Sequence, residues 1–204
     1  MAKTKKDFQS EKSRAAILMA AMNLISKHGF NGTTVDKIAA EAGLSKGSIF
    51  WHFENKENLF LAVIEAIRDG LLQAIMSGQE EVFSPRERLR LLLDNYRTII
   101  EVDCSRCLDL TVLIIEMVET NPALADRLRD LFAELTDLLA GLLEEGKERG
   151  EIGKPIDSRM TAYAIAGNMQ GMTVQYYLNR DKLHYGRLMN AYMDFLFTGL
   201  FHHG

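Results

Sequence analysis

Within residues 45–52 the chain gathers Ser45, Lys46, Gly47, Ser48, Trp51 and His52: a cation, two hydroxyls, a position with no side chain, an indole and an imidazole. No nucleophile and base stand among them at a spacing that would make or break bonds. The mixture suits a different chemistry, the reading of hydrogen-bonding edges and phosphates in the major groove of duplex DNA, where cations, hydroxyls and imidazoles each find donors or acceptors. Gly47 costs up to about 1 kcal/mol of helix propensity, a loss explained if a side chain there would block close approach to a groove.

Such a face needs a helix to carry it and a second helix to hold that one upright. Ser45 is an N-cap, and Ile49 with Phe53 form an inward i, i+4 pair, so a short helix is predicted from Lys46 to His52 with Trp51 turned outward. Before it, Thr34 caps the stripe Val35, Ile38, Ala39 and Ala42, which Gly43 ends. The pair has helix-turn-helix spacing: small Ala39 lets the backbones approach, Gly43 takes the positive φ of the turn, and Leu44 fills the corner. A preceding helix over residues 10–27 carries Ile17, Ala21 and Leu24 and stops at Gly29, and a fourth runs from Lys56 to about Met76.

Ser84 and Pro85 then open a series of longer apolar-periodic segments at residues 86–102, 106–120, 122–149, 157–179 and 181–201. With only three prolines in 204 residues, an all-α chain of about nine helices is expected, a three-helix DNA-binding domain at residues 1–55 and a larger helical domain at 56–204. Charge divides at the same place. Residues 1–56 hold nine Lys and Arg against five Asp and Glu, a balance of +4, which leaves −8 for the rest, so a nucleic acid should meet the head. The charged N-terminus lacks a secretory signal's apolar core and no run is long enough to span a bilayer, which points to a cytoplasmic protein without a membrane partner.

Enzyme readings find no support: there is no nucleophile elbow, phosphate-binding glycine loop, HExxH spacing or acid and base pair, and no cofactor is implied. Cys104 and Cys107 form a CxxC beside Arg106, which could lower a thiol pKa and make a redox switch, but the further ligands that zinc requires are missing, so no metal site is assigned.

The run TTVDKIAAEAGLSKGSIFWHFENKENLF at residues 33–60, with SRAAILMAAMNLISKHGFNG before it, closely resembles the DNA-binding domain of the TetR/AcrR family of repressors. The resemblance implies that Thr34 and Lys56 hold phosphates and that Ser45, Lys46, Gly47, Ser48, Trp51 and His52 touch base edges and nearby phosphates. Phe50 departs from it, standing where the family usually has a tyrosine. By the same resemblance the protein is a homodimer through its last two helices, binds a palindromic double-stranded operator, and is released by a small-molecule effector taken up in the C-terminal domain. Two recognition helices must reach half-sites about 34 Å apart, which itself calls for a dimer. The effector and its contacts are not legible. Tyr96, Cys104, Leu113, Met117, Met172 and Tyr176 are candidates for a lining, yet a methionine and aromatic stripe at helical spacing is usually plain core. Two alternatives share the fold: a transcriptional activator, and an all-helical interaction protein without operator binding, which a buried Trp51 would favour.

Overall fold

The computed structural model describes the backbone of residues 5–153 and 155–201, with the side chains of 5, 6 and 103–112 left aside. Among the described residues the chain is all-helical: α1 (Lys5–Gly32), α2 (Val35–Ala42), α3 (Lys46–Phe53), α4 (Lys56–Ile75), a 3-10 turn (Gln79–Glu81), α5 (Pro85–Thr120), α6 (Pro122–Glu148), α7 (Ser158–Leu178) and α8 (Tyr185–Phe201). It packs as two units, one of residues 1–69 with 112–128, the other of 70–111 with 129–204.

In the first unit the predicted stop at Gly29 is real. Its φ of 67° breaks the helical run inside α1, and the Thr33 hydroxyl, on a buried side chain, donates to the Gly29 carbonyl at 2.8 Å. The Thr34 oxygen accepts the Lys37 N–H at 3.3 Å, and Gly43, left-handed at φ 65°, closes α2 as its N–H and that of Leu44 return to Ala40 and Ala39. Ile17, Ala21, Ile38, Ile49, Phe53 and Leu59 are buried at the centre of this unit. Leu44 is half-buried at the corner, as its role there requires.

The second unit has its own core, built on Leu89, Leu92, Leu93, Leu139, Leu143, Ile165, Met169 and Met189. Two expectations are corrected here. Residues 86–102 and 106–120 are not two helices but parts of α5, 36 residues long, because no glycine or proline falls between Arg86 and Thr120 to end it. The last helix starts at Tyr185 rather than 181, since the Asn179 carbonyl accepts the N–H groups of Lys182 and Leu183 and holds that stretch as a turn. The Asp157 carboxylate caps α7 by accepting the Met160 N–H at 3.0 Å.

α7 and α8 each leave an unpartnered face. On α7, Met160, Tyr163, Gly167, Gly171 and Leu178 are exposed in succession at helical spacing, and on α8 Phe195 and Gly199 are exposed. A β-carbon added at Gly167, Gly171 or Gly199 would meet nothing within 4 Å.

Candidate nucleic-acid interface

The Ser45 oxygen accepts the Ser48 N–H at 3.1 Å and lies 2.8 Å from the Ser48 hydroxyl, so both serines serve the start of α3 as well as whatever lies in front of it. Ile49 and Phe53 are buried, which sends the opposite side of α3 outward at 100° per residue. Trp51 sits at the middle of that side and is 70% exposed. This observation separates a reading face from a core: the indole has no place inside the protein and awaits a surface. Gly47 is exposed beside it, and Phe50, 40% exposed, lies on the flank.

Lys46 and Asp36 form an exposed ion pair at 2.9 Å, linking α3 to the first turn of α2. Such a pair in water contributes little and is readily exchanged for a phosphate. Thr34 is exposed at the N-terminus of α2, with its oxygen capping and its hydroxyl hydrogen available.

Two predicted residues are engaged with the protein itself. His52 Nε2 lies 2.8 Å from the Ser13 hydroxyl of α1, with Trp51 edge-on to the ring at 4.6 Å between centroids. Burial first, and the charge of Arg14 second, lower its pKa, favouring the neutral ring. Lys56 donates from Nζ to the Phe30 carbonyl at 2.9 Å and lies over the Phe30 ring at 4.2 Å. Its half-burial lowers the amine pKa, an effect opposed by Glu116. Thus Gly47, Ser48 and Trp51 lie on α3's outer side with Ser45 and Lys46 exposed at its start, while His52 and Lys56 face neighbours on the head. At the start of α4, Asn55 Oδ1 accepts the Asn58 N–H at 2.8 Å, which leaves the amides of Lys56 and Glu57 as that helix's open donors. Ser13 and Arg14 were not singled out in the sequence. They lie 39 and 38 residues from His52, on a helix whose periodicity shows only its core side. The side chains of Cys104 and Cys107 lie outside the described residues.

Residues 17–63 match the family model for bacterial regulatory proteins of the tetR family, and residues 85–192 match that for the tetracyclin repressor-like C-terminal domain. The HTH-type transcriptional regulator RutR of Escherichia coli K12 is 32% identical over 165 residues, covering 77% of this chain and 72% of RutR. The chain belongs to the TetR family. It is therefore a ligand-responsive, DNA-binding transcriptional repressor, acting as a dimer on operator DNA. The fatty acid metabolism regulator protein of Bacillus subtilis is 24% identical over 184 residues, 90% of this chain and 93% of that protein. The solved structure of the fatty acid degradation regulator FadR from Bacillus halodurans superposes with a TM-score of 0.79 at 26% identity, over 91% of this TetR-family chain and 98% of FadR.

Proposed function

We propose that this repressor reads its operator with α3, placing Lys46, Gly47, Ser48 and Trp51 against base edges in the major groove, with Ser45 and His52 at the margin. Thr34 and Lys56, at the N-termini of α2 and α4, hold the flanking phosphates together with the open backbone donors there. Residues 1–55 are the DNA-binding domain and 56–204 the effector and dimer domain. The observation that carries the reading is Trp51, 70% exposed opposite the buried Ile49 and Phe53. It removes the support that a buried indole would have lent to the interaction-protein alternative. We assign the protein no catalytic activity and place it in the cytoplasm, where operator DNA lies.

The partner helices are α7 and α8. Their exposed faces combine apolar side chains (Met160, Tyr163, Leu178, Phe195) with glycines that have open space above them, the surface on which a second copy of the same helices can seat closely. The effector enters the second unit. There a groove of about 580 Å³ is lined by Leu72, Met76, Arg88, Leu138 and Leu142 among others, and Leu72 also lines a narrow apolar slot with Ile75, Tyr96, Leu135 and Met169. Of the lining proposed from sequence, Tyr96 borders this slot, whereas Leu113 and Met117 are core of the first unit. The slot, at about 30 Å³, has room for little more than one water, whereas the groove has the volume for an apolar chain, and the B. subtilis relative's part in fatty acid metabolism makes a fatty-acyl compound the effector class to try first.

Operator binding is tested by fluorescence anisotropy on a duplex selected by the protein from random sequence, across salt concentrations. The expected result is one preferred palindrome, bound less tightly as salt rises and lost with Trp51→Ala. Equal affinity for every duplex, from a folded dimer, would sink the reading. A long-chain acyl-CoA and the corresponding free fatty acid, each titrated into the complex, then test the effector class. Release by neither removes it.

A further inference from the structure

The Ser13 hydroxyl has one hydrogen and two neighbours. Its oxygen lies 2.9 Å from the Ser10 carbonyl along α1, and with the hydroxyl hydrogen given to that carbonyl the contact with His52 at 2.8 Å is one in which Nε2–H donates and the serine oxygen accepts. That arrangement selects one tautomer of the ring. Nε2 carries the proton and points at α1, and Nδ1 is left as the remaining polar atom of a half-exposed imidazole on the recognition helix. In the neutral ring Nδ1 has no hydrogen and can only accept. A DNA phosphate also only accepts, so the two repel unless Nδ1 gains a proton. Arg14, one residue after Ser13, is the charged group acting on the ring among the described residues. It lies over the Phe53 ring at 5.3 Å, and the other groups against the imidazole are Ser13, Trp51 and Phe53. A phosphate brought between Arg14 and His52 cancels the charge that opposes protonation and supplies the acceptor that rewards it.

We propose that operator binding by this repressor takes up one proton at Nδ1 of His52, which then donates to a DNA phosphate shared with Arg14, and that Ser13 is the positioning residue that makes the proton necessary. The proton comes from solvent, and the step forms one N–H bond and one charge-assisted hydrogen bond. This rests on the operator reading above.

The sign follows from linkage. The free ring has its pKa below the ordinary 6.5 and the bound ring has it raised, so the complex binds more protons than the free protein. Affinity must then rise as pH falls through the interval between the two values, at up to about tenfold per pH unit for a single proton. Below the free value and above the bound value it must level off.

The test uses the full-length dimer and its selected duplex, with Kd measured at constant ionic strength from about pH 5.5 to 8. Far-ultraviolet circular dichroism at each pH checks that the protein stays folded. Wild type is expected to show the rise. His52→Gln, whose amide can donate without titrating, is expected to bind with affinity independent of pH. Ser13→Ala frees the tautomer, so a neutral ring can offer N–H to the phosphate: its pH dependence should shrink even if affinity is kept, and Ser13→Thr should restore it. Long-range nitrogen NMR of the free protein should show Nε2 protonated in wild type and a mixture in Ser13→Ala. A flat wild-type profile, or one that survives unchanged in His52→Gln, overturns the proposal; an unchanged profile in Ser13→Ala overturns the role of Ser13. If no duplex is selected at all, the operator reading fails and takes this inference with it, an outcome distinct from tight binding that ignores pH.

Discussion

Glu116 and Asn31 are joined by two hydrogen bonds that end on one oxygen, the Oε1 of Glu116, which accepts the Asn31 backbone N–H at 3.2 Å and its side-chain Nδ2 at 2.7 Å. The other carboxylate oxygen accepts the Phe30 N–H at 3.3 Å. One side chain of α5 thus satisfies the amides released where Gly29 breaks α1, while Lys56 holds the Phe30 carbonyl from the other side. The turn leading to the helix-turn-helix is gripped at both its donors and its acceptor.

Removing that grip should loosen the turn and spare the rest. Glu116→Ala is expected to cost about 1 kcal/mol in urea unfolding, the usual worth of charge-assisted bonds reduced by their exposure. Glu116→Gln, which keeps an acceptor oxygen, should cost less. Equal stabilities for all three proteins would show that water serves the turn as well.

Glu54 is the one non-glycine residue with positive φ among the described residues, at φ 61° and ψ −49°, and the Asn55 N–H reaches back to the Phe53 carbonyl at 2.6 Å. This is a γ-turn of the strained kind, wedged between the recognition helix and α4. Glu54→Gly relieves a strain of about 1–3 kcal/mol against the greater chain entropy of glycine, so net stabilisation of about 1 kcal/mol is expected. Thermal unfolding checks it; a lower melting temperature would refute it.

Lys46 is partly neutralised by Asp36 at 2.9 Å before DNA arrives. Asp36→Asn should therefore tighten operator binding several-fold at low salt. Lys46→Ala should weaken it at least tenfold and lower the salt dependence by about one counterion. Both should unfold like wild type, because the exposed pair holds little of the fold. Matching salt slopes for Lys46→Ala and wild type would place this amine away from phosphates.

Gly167→Leu should give a well-folded monomer. The side chain has room in the isolated subunit and improves helix propensity by about 1 kcal/mol, yet it stands on the face proposed to meet the partner. Sedimentation velocity is expected to show the monomer, with operator affinity falling in parallel. A dimer of unchanged affinity would move the interface off this face.

The parts of this architecture legible in the sequence are the local ones. Thr34, Gly43 and Ser45 announce their helix ends because capping is decided within four residues, and Ile49 with Phe53 fix which side of α3 is outward. Residues 103–105, expected to separate two helices, hold no glycine or proline that would end one, and α5 runs through them. The contacts that set the chemistry of His52 and Lys56 are of another kind. Ser13 reaches His52 across 39 positions and Glu116 reaches Phe30 across 86, with no periodicity to disclose either. A histidine on a recognition helix is visible in the sequence, but its tautomer depends on a hydroxyl elsewhere in the chain.

The open glycines of α7 have a meaning for sorting as well as for contact. A seam formed where side chains are missing admits a partner only if its surface fills the space they leave, a bare backbone in close approach or a side chain of matching size, so it selects by shape before charge or hydrogen bonding is consulted. In a cell holding several regulators of this fold, mixed pairs would carry two different reading heads and suit neither operator. On the interface proposed above, Gly167 and Gly171 would act as a filter on pairing, keeping each subunit with its own kind and each operator with a symmetric reader.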